Sequence, residues 1–273
     1  MMTAQSCFPN IISQKLTAHY SAIEDYMADN KLVINADKTH VIVMAPRRLA
    51  SRREEVAVKA GPFTIKSSES EKLLGINIHQ SMTWNHHIRD GDGSVLKQLT
   101  TRINGLKKLS SKADFKTKLT LANGIVMSKL CYGLAMWGNC QGYLRKALQV
   151  QQLTAARAVC GYSSFFWSTG KLLSTCGWLS VNQLYWQQVL TSTHKIMTNK
   201  KPINLHNRMI SRHRHGTRTA TGVSRGFEGL LVKNSFNYSA ATYNNLPQNL
   251  RTAKSMHIFK KQLRQWVVSN IPV

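Results

Sequence analysis

Acidic residues are scarce in this 273-residue chain, which carries 12 Asp and Glu against 37 Lys and Arg. The formal net charge is +25, and the isoelectric point is near 10.2. Residues 115–273 hold 21 of the basic residues and Glu228 as their one acid. Because two-metal phosphoryl chemistry needs clustered carboxylates, this half has no polymerase or nuclease centre of its own. It is predicted to be a surface for a polyanion, most commonly nucleic acid.

Long apolar runs and paired cysteines are also lacking. The run Leu130–Gly138 is too short to span a bilayer, and no secretory signal is evident. The five cysteines include no Cys-x-x-Cys pair, and the close histidine pairs lie far in sequence from any cysteine. These features predict free thiols, no metal site and no membrane segment, in a protein of the nucleus or cytoplasm.

Folded structure is indicated by an apolar fraction of 42% and six tryptophans. Apolar residues at three- to four-residue steps predict helices near residues 10–29, 95–106, 112–137, 143–160, 168–176, 181–197 and 255–268. Runs rich in β-branched residues predict strands at 39–44, 63–66 and 72–78, and the arginine-rich stretch 47–59 is predicted to be an exposed excursion. The pattern is that of an α+β protein, a small antiparallel sheet followed by a mostly helical region.

Three motifs occur in order in the first part of the chain. Residues 30–39 read Asn-Lys-Leu-Val-Ile-Asn-Ala-Asp-Lys-Thr, residues 71–78 read Glu-Lys-Leu-Leu-Gly-Ile-Asn-Ile, and residues 82–84 read Met-Thr-Trp. Farther on, residues 130–138 read Leu-Cys-Tyr-Gly-Leu-Ala-Met-Trp-Gly, and a Leu-Gln pair at 148–149 precedes Arg157. Taken alone, these segments are a polar turn between strands, a bent strand and aromatic packing between helices.

Together the motifs resemble the reverse transcriptases of non-long-terminal-repeat retrotransposons, from the end of the palm through the thumb to the C-terminal tail. The resemblance implies a partial palm at 1–84, a helical thumb and connection at 85–199, a basic linker at 200–229 and a small helical C-terminal module at 230–273. In that family an aromatic-Ala-Asp-Asp turn that holds catalytic metal lies upstream of the first motif. No Asp-Asp pair occurs in this sequence.

The resemblance also implies roles for particular residues. Lys38 corresponds to a lysine near the incoming triphosphate, where a cation can act as general acid for the leaving pyrophosphate. Leu74 and Gly75 correspond to the primer grip, a tight turn whose backbone approaches the primer end. The full-length family would use Mg²⁺, but no cofactor and no metal ligand set is expected on this chain. Tyr26-Met-Ala-Asp29 has one carboxylate where the catalytic turn has two, so it is not taken as a metal site.

Two basic clusters are candidates for contacts with RNA and DNA. Lys107, Lys108 and Lys112 lie where a thumb would pack against duplex backbone, and such contacts position the duplex without reading its sequence. Arg212, Arg214 and Arg218 lie in a polar, glycine-bearing stretch and are expected to bind RNA phosphates, although a solvated loop or a nuclear-import patch is an equal alternative.

The first functional hypothesis is a fragment of an RNA-directed DNA polymerase that retains its primer-template surface and is catalytically incompetent alone. An active enzyme whose Asp-Asp turn is encoded upstream is a second hypothesis. A basic nucleic-acid-binding protein derived from the element is a third, and a decayed open reading frame is the fourth. Exposed strand edges in the palm remnant would favour aggregation in the last case.

Neutralising the arginine cluster tests its assignment. We expect the Arg212→Gln, Arg214→Gln, Arg218→Gln variant to bind single-stranded RNA more weakly at low salt, because each lost cation removes a released counterion. Replacing Arg47, Arg48 and Arg52 in the same way removes equal charge and serves as the control. Equal affinities for the two variants in filter binding would identify the cluster as a solvated loop.

Overall fold

The computed structural model describes residues 7–44, 56–61, 63–109, 112–209, 236 and 241–273. The chain divides into two compact units, Met1–His87 and Ile88–Val273. The first contains a long helix and two antiparallel hairpins, and the second is helical throughout its described part. The predicted α+β class is therefore confirmed, and the described residues form two separate two-stranded sheets in place of one.

In the first unit, helix α1 (Cys7–Asp29) is followed by a 3-10 turn at Ala36–Lys38. Strands β1 (Ala57–Ala60) and β2 (Phe63–Lys66) form one hairpin. Strands β3 (Ser70–Leu73) and β4 (Ile76–His79) form the other.

Helix α1 covers the outer edge of β1. The hydroxyls of Ser13 and Thr17 accept hydrogen bonds from the N–H groups of Ala57 and Lys59, each at 3.2 Å. Two residues apart on one strand, these N–H groups point to the same edge, where a neighbouring strand would otherwise take them. Side chains of α1 thus accept the hydrogen bonds that the edge N–H groups of β1 would otherwise donate to a neighbouring strand.

The predicted strands agree only in part with this structure. Phe63–Lys66 is a strand, but residues 39–44 make only one isolated bridge, between Val41 and Ser67. The predicted strand 72–78 is a hairpin, because Leu74 and Gly75 both have positive φ and reverse the chain. Strand β1 lies partly within the stretch 47–59 that was predicted to be an exposed excursion. Its more exposed and its buried residues alternate over only four positions, a pattern that the arginine-rich composition of the stretch outweighed in the prediction.

The second unit begins within a π-helical turn at His86–Asp90. Its helices are α2 (Val95–Leu109), α3 (Phe115–Ala122), α4 (Ser128–Cys131), α5 (Leu134–Trp137), α6 (Gly142–Cys160), α7 (Thr169–Thr175), α8 (Val181–Asn199), α9 (Ile203–Met209), α10 (Gln248–Arg251) and α11 (Met256–Asn270). A π-helical turn at Asn123–Met127 joins α3 to α4. Further 3-10 turns lie at Tyr162–Phe166 and Ala241–Asn245.

Helices α2 and α6 pack against each other in the main core of this unit. The predicted apolar stripe of α2, Val95, Leu99, Ile103 and Leu106, is buried along its whole length. On α6, Leu144, Leu148, Ala155 and Val159 are buried as their spacing predicts. The 3.6-residue period therefore located this helix pair from sequence alone.

The predicted helix 112–137 is interrupted. It ends at Cys131, because Tyr132 is extended and Gly133 is left-handed with φ of 65°, and α5 then begins at Leu134. The indole N–H of Trp137 donates to the Tyr132 carbonyl at 2.9 Å, which closes the turn around a fully buried ring.

The C-terminal helix packs on α8. Buried side chains of α11, namely Phe259, Leu263 and Val267, join Leu190 and Ile196 of α8 in one apolar cluster. Tyr243, Leu246 and Leu250 complete the cluster from the preceding turns. The second unit thus includes the C-terminal helix, while the four-part domain division stays a prediction. In the described part of the chain, no helix has the length and hydropathy needed to cross a bilayer.

Two glycines give opposite expectations for stability. At Gly138 an added Cβ would clash with the ring of Tyr185 and lie 2.6 Å from the Leu134 carbonyl oxygen. At Gly105 an added Cβ would meet no described atom within 4 Å apart from its chain neighbours and the backbone of its own helix. We expect Gly138→Ala to lower the unfolding free energy by about 1–3 kcal/mol through overpacking. Gly105→Ala, on the exposed face of α2, should raise it by about 0.5–1 kcal/mol. Urea denaturation measures both, and equal effects would contradict this packing.

Candidate nucleic-acid interface

Five lysines lie close together in sequence around the connection between α2 and α3. Lys107 and Lys108 lie in the last turn of α2, Lys112 lies in the connecting turn, and Lys116 and Lys118 lie on α3. All are exposed except Lys118, which is half-buried. We call these five residues the α2–α3 lysine surface. It contains all three lysines that the sequence predicted as phosphate contacts, and it adds two.

One carboxylate lies within the α2–α3 lysine surface, and it has a local role. Asp114 is the N-cap of α3 and accepts the Thr117 N–H at 3.0 Å. Hydrogen bonds from Thr117 hold the pKa of this carboxyl below its ordinary value, so it stays ionised at neutral pH. The carboxylate stabilises the positive end of α3. Because the Asp114 carboxylate is occupied by the N-cap and five lysines surround it in sequence, the α2–α3 lysine surface is strongly positive.

The buried stripe of α2 fixes where these lysines point. Ile103 and Leu106 are fully buried, so the neighbouring positions 104, 107 and 108 face solvent. Arg102 does not contribute to the surface, because its guanidinium donates to the Ile125 carbonyl at 2.6 Å within the π-helical turn. This bond ties α2 to the segment that follows α3. The core and this contact thus hold the α2–α3 lysine surface on a packed helix pair.

Lys38 lies in the first unit, at the end of the 3-10 turn. Its N–H donates to the Asn35 side-chain oxygen at 3.2 Å, and the Thr39 hydroxyl donates to the Asn35 carbonyl at 2.9 Å. Asn35 therefore organises the polar turn predicted at this position. The Lys38 side chain is exposed. Its general-acid role stays a prediction.

Leu74 and Gly75 form the tip of the β3–β4 hairpin. Their φ values are 48° and 79°, so both central residues of this two-residue loop are left-handed, as in a type I′ turn. Asn or Gly is usual at the first position, whereas here a leucine occupies it with 81% of its surface exposed. Leu73 before it is also 59% exposed. The tip is thus a strained apolar projection, and its primer-grip role stays a prediction.

The predicted site residues do not all fall in one unit. Lys38, Leu74 and Gly75 belong to the first unit, and the α2–α3 lysine surface belongs to the second. Arg212, Arg214 and Arg218 lie outside the described residues. The sequence prediction missed Lys116 and Lys118, although Asp114 before an apolar-periodic segment was a usable N-cap signal for α3.

The described residues do not fit a Mg²⁺ site. No group of three or more His, Cys, Asp or Glu side chains able to hold a metal is present in the part of the chain that the structure describes. Asp29 is the last residue of α1, and Glu71 lies 3.4 Å from the His40 ring. A pair of divalent ions needs several carboxylates in one place. The phosphoryl-transfer chemistry of the family therefore has no ligand set among these residues.

The four described cysteine side chains are free thiols, Cys131, Cys140, Cys160 and Cys176. Burial raises the pKa of Cys131 and Cys140 to about 11, and burial with the nearby Cys160 raises that of Cys176 to about 12. Because the thiolate is the reactive form, Cys131, Cys140 and Cys176 are poor nucleophiles at neutral pH. They pack as small apolar residues.

No protein-family model, curated protein or solved structure matches this chain.

The hairpin tip yields a stability prediction. We expect Gly75→Val to weaken the β3–β4 hairpin by about 1–2 kcal/mol, because a β-branched residue is poorly tolerated at positive φ. Leu74→Asn should leave the hairpin as stable or more stable, because Asn tolerates this conformation. Hydrogen exchange of the β3 and β4 amides reports on both variants. Unchanged protection in Gly75→Val would contradict the turn geometry.

Proposed function

We propose that this chain is the C-terminal part of a reverse transcriptase of the non-long-terminal-repeat retrotransposon type, and that its own residues bind the primer-template duplex without performing catalysis. The ordered palm and thumb motifs support the first statement. The distribution of charge supports the second, because residues 115–273 carry 21 basic residues and one acid.

The observation that carries the proposal is the α2–α3 lysine surface. Its five ammonium groups belong to one helix–turn–helix segment, and its single carboxylate is committed to a helix cap. Long, flexible lysine side chains suit phosphate oxygens, which form a continuous line of charge on a duplex. Contacts of this kind set position and register but carry no sequence information. The proposed binding is therefore tight at low salt and tolerant of sequence.

We assign catalysis to residues outside this sequence because the carboxylates that would bind the catalytic metal ions are missing from it. The sequence contains no Asp-Asp pair, and the described residues contain no metal-binding group. Activation of a primer hydroxyl by two metals would need carboxylates that this sequence does not supply. With such carboxylates in place, we propose that Lys38 would face the leaving pyrophosphate, and that Leu74 and Gly75 would lie against the primer end.

A decayed open reading frame is the second candidate, and the surface of the first unit favours it. Val33 is 96% exposed and Phe63 is 61% exposed, and Tyr26 and Leu74 are also largely in solvent. Apolar surface of this kind marks an interface or a site of aggregation. A purified chain that aggregates and melts without cooperativity would support decay. A soluble, cooperatively melting chain that binds duplex would support the proposed function.

Salt dependence of duplex binding tests the proposed surface. We expect Lys107→Gln, Lys108→Gln, Lys112→Gln to reduce the slope of log K against log salt by about 2.7, since each phosphate contact contributes about 0.9. Exposed lysines of the other unit, changed as Lys15→Gln, Lys59→Gln, Lys66→Gln, remove equal charge and should leave the slope unchanged. Fluorescence anisotropy in EDTA measures both, and metal removal should have no effect. Identical slopes for the two variants would overturn the assignment.

A further inference from the structure

A polar cleft lies between α8 and the start of α11, away from the α2–α3 lysine surface in sequence. Its volume is about 320 Å³. Thr191, Lys195 and Thr198 line it from α8, and Lys254, Ser255 and Lys260 line it from the other side. An adjoining pocket of about 420 Å³ shares Thr191 and Lys260 with it.

Three exposed lysines line this cleft, and no described residue pairs with them as an anion. Among the residues that the structure describes, the lining of both pockets includes no carboxylate. Asp90 and Asp92 lie beside Arg89 and Lys97, and Asp114 caps α3. Among the described residues, none of Lys195, Lys254 and Lys260 has an acidic residue within 4 Å. Like charges held together repel one another, so an anion that enters the cleft relieves that repulsion.

The start of α11 adds donors to the same cleft. Ser255 is the N-cap, and its hydroxyl accepts the Ile258 N–H at 3.3 Å. The first N–H groups of a helix have no acceptor within the helix, and the positive end of the helix dipole lies there. With 15 residues, α11 is long enough for this dipole to develop. The cleft is therefore lined by threonine and serine hydroxyls and by lysines, and the N-terminus of α11 lies at its edge.

His194 lines the cleft as a packed, buried side chain. This side chain stacks on Phe259 with ring centroids 3.8 Å apart, and its Nδ1 lies 2.9 Å from the Tyr243 hydroxyl. Burial lowers the pKa of His194, so the ring is uncharged at neutral pH. The apolar cluster of α8 and α11 holds these three rings in place. Packed rings thus form one wall of the cleft, and among its described lining residues the positive charge comes from the lysines.

We propose that this cleft binds a pyrophosphate-like anion, held by Lys195, Lys254 and Lys260 together with the Ser255 end of α11. A single phosphate carries a charge of about −1.5 to −2 near neutral pH, which is less than three ammonium groups can balance. Two linked phosphate groups match the cations better and fit the volume of the cleft. The source is either a small phosphorylated molecule or adjacent phosphates of a nucleic-acid strand.

Calorimetric titration of the full chain with inorganic pyrophosphate tests this site. We expect Lys254→Gln, Lys260→Gln to weaken pyrophosphate binding at least tenfold, while Lys15→Gln, Lys59→Gln changes it less than twofold. Both pairs are exposed and remove the same charge. A Lys254→Arg, Lys260→Arg variant should retain binding, which separates loss of charge from loss of fold. Equal weakening by the glutamine and control variants, or no binding by the unaltered chain, would overturn the proposal.

Duplex binding by the same variants distinguishes the source of the phosphates. Loss of pyrophosphate binding with an unchanged duplex salt slope supports a small phosphorylated ligand. Loss of both supports neighbouring phosphates of a strand. The proposed site does not rest on the α2–α3 lysine surface, because the two involve different lysines. Failure of the Lys107, Lys108 and Lys112 experiment would therefore leave the result at this cleft intact.

Discussion

Neutral amide side chains make the polar connections on which the helical unit depends. Gln152 is fully buried, donates to the Leu179 carbonyl at 2.8 Å and accepts from Gln149 at 2.9 Å. The Gln149 side-chain oxygen in turn accepts the Val181 N–H at 2.9 Å. These bonds attach the start of α8 to α6. A buried amide with satisfied partners stabilises a unique arrangement without the desolvation cost of a charge.

Other features of this unit follow from the position of α8. Gln188 donates to the Cys131 carbonyl at 3.0 Å and so connects α8 to the end of α4, while Gln183 donates to the Ile271 carbonyl at 2.9 Å beyond α11. Among the described residues, the buried polar side chains are those of His, Ser, Gln and Thr, so the interior of this unit is connected by neutral groups. The positive field of the surface follows from the 37 basic residues that face only 12 acidic ones in the sequence.

The sequence was most informative where contacts are local. The stripe from Val95 to Leu106 located α2, and the three predicted lysines of the surface are close in sequence, so their proximity needed only a helix and a short turn. The strand predicted at 39–44 failed because β1 pairs with β2 on one side and is covered by α1 on the other. The residue pattern predicted one strand through 72–78 because leucine rarely adopts positive φ, whereas the resemblance implied a tight turn at Leu74 and Gly75. The lysines of the cleft could not be grouped from sequence, since α8 and α11 lie far apart in the chain and meet through tertiary packing that includes Phe259, Leu263 and Val267.

The π-helical turn at Asn123–Met127 sets the rotational phase of the segment from Phe115 to Cys131. One extra residue in a helical turn rotates everything downstream by about 100° around the helix axis relative to an uninterrupted α-helix. Arg102 and Trp178 bind this turn through the Ile125 carbonyl and the Asn123 side chain. Ala122 before the turn, Val126 within it and Leu130 after it are all buried. In an uninterrupted α-helix Ala122 and Leu130 would lie about 80° apart on one broad face, and the extra residue reduces that offset to about 20°. The π-helical turn thus adjusts the rotation of α4 relative to α3, so that buried side chains of both helices face the same interior.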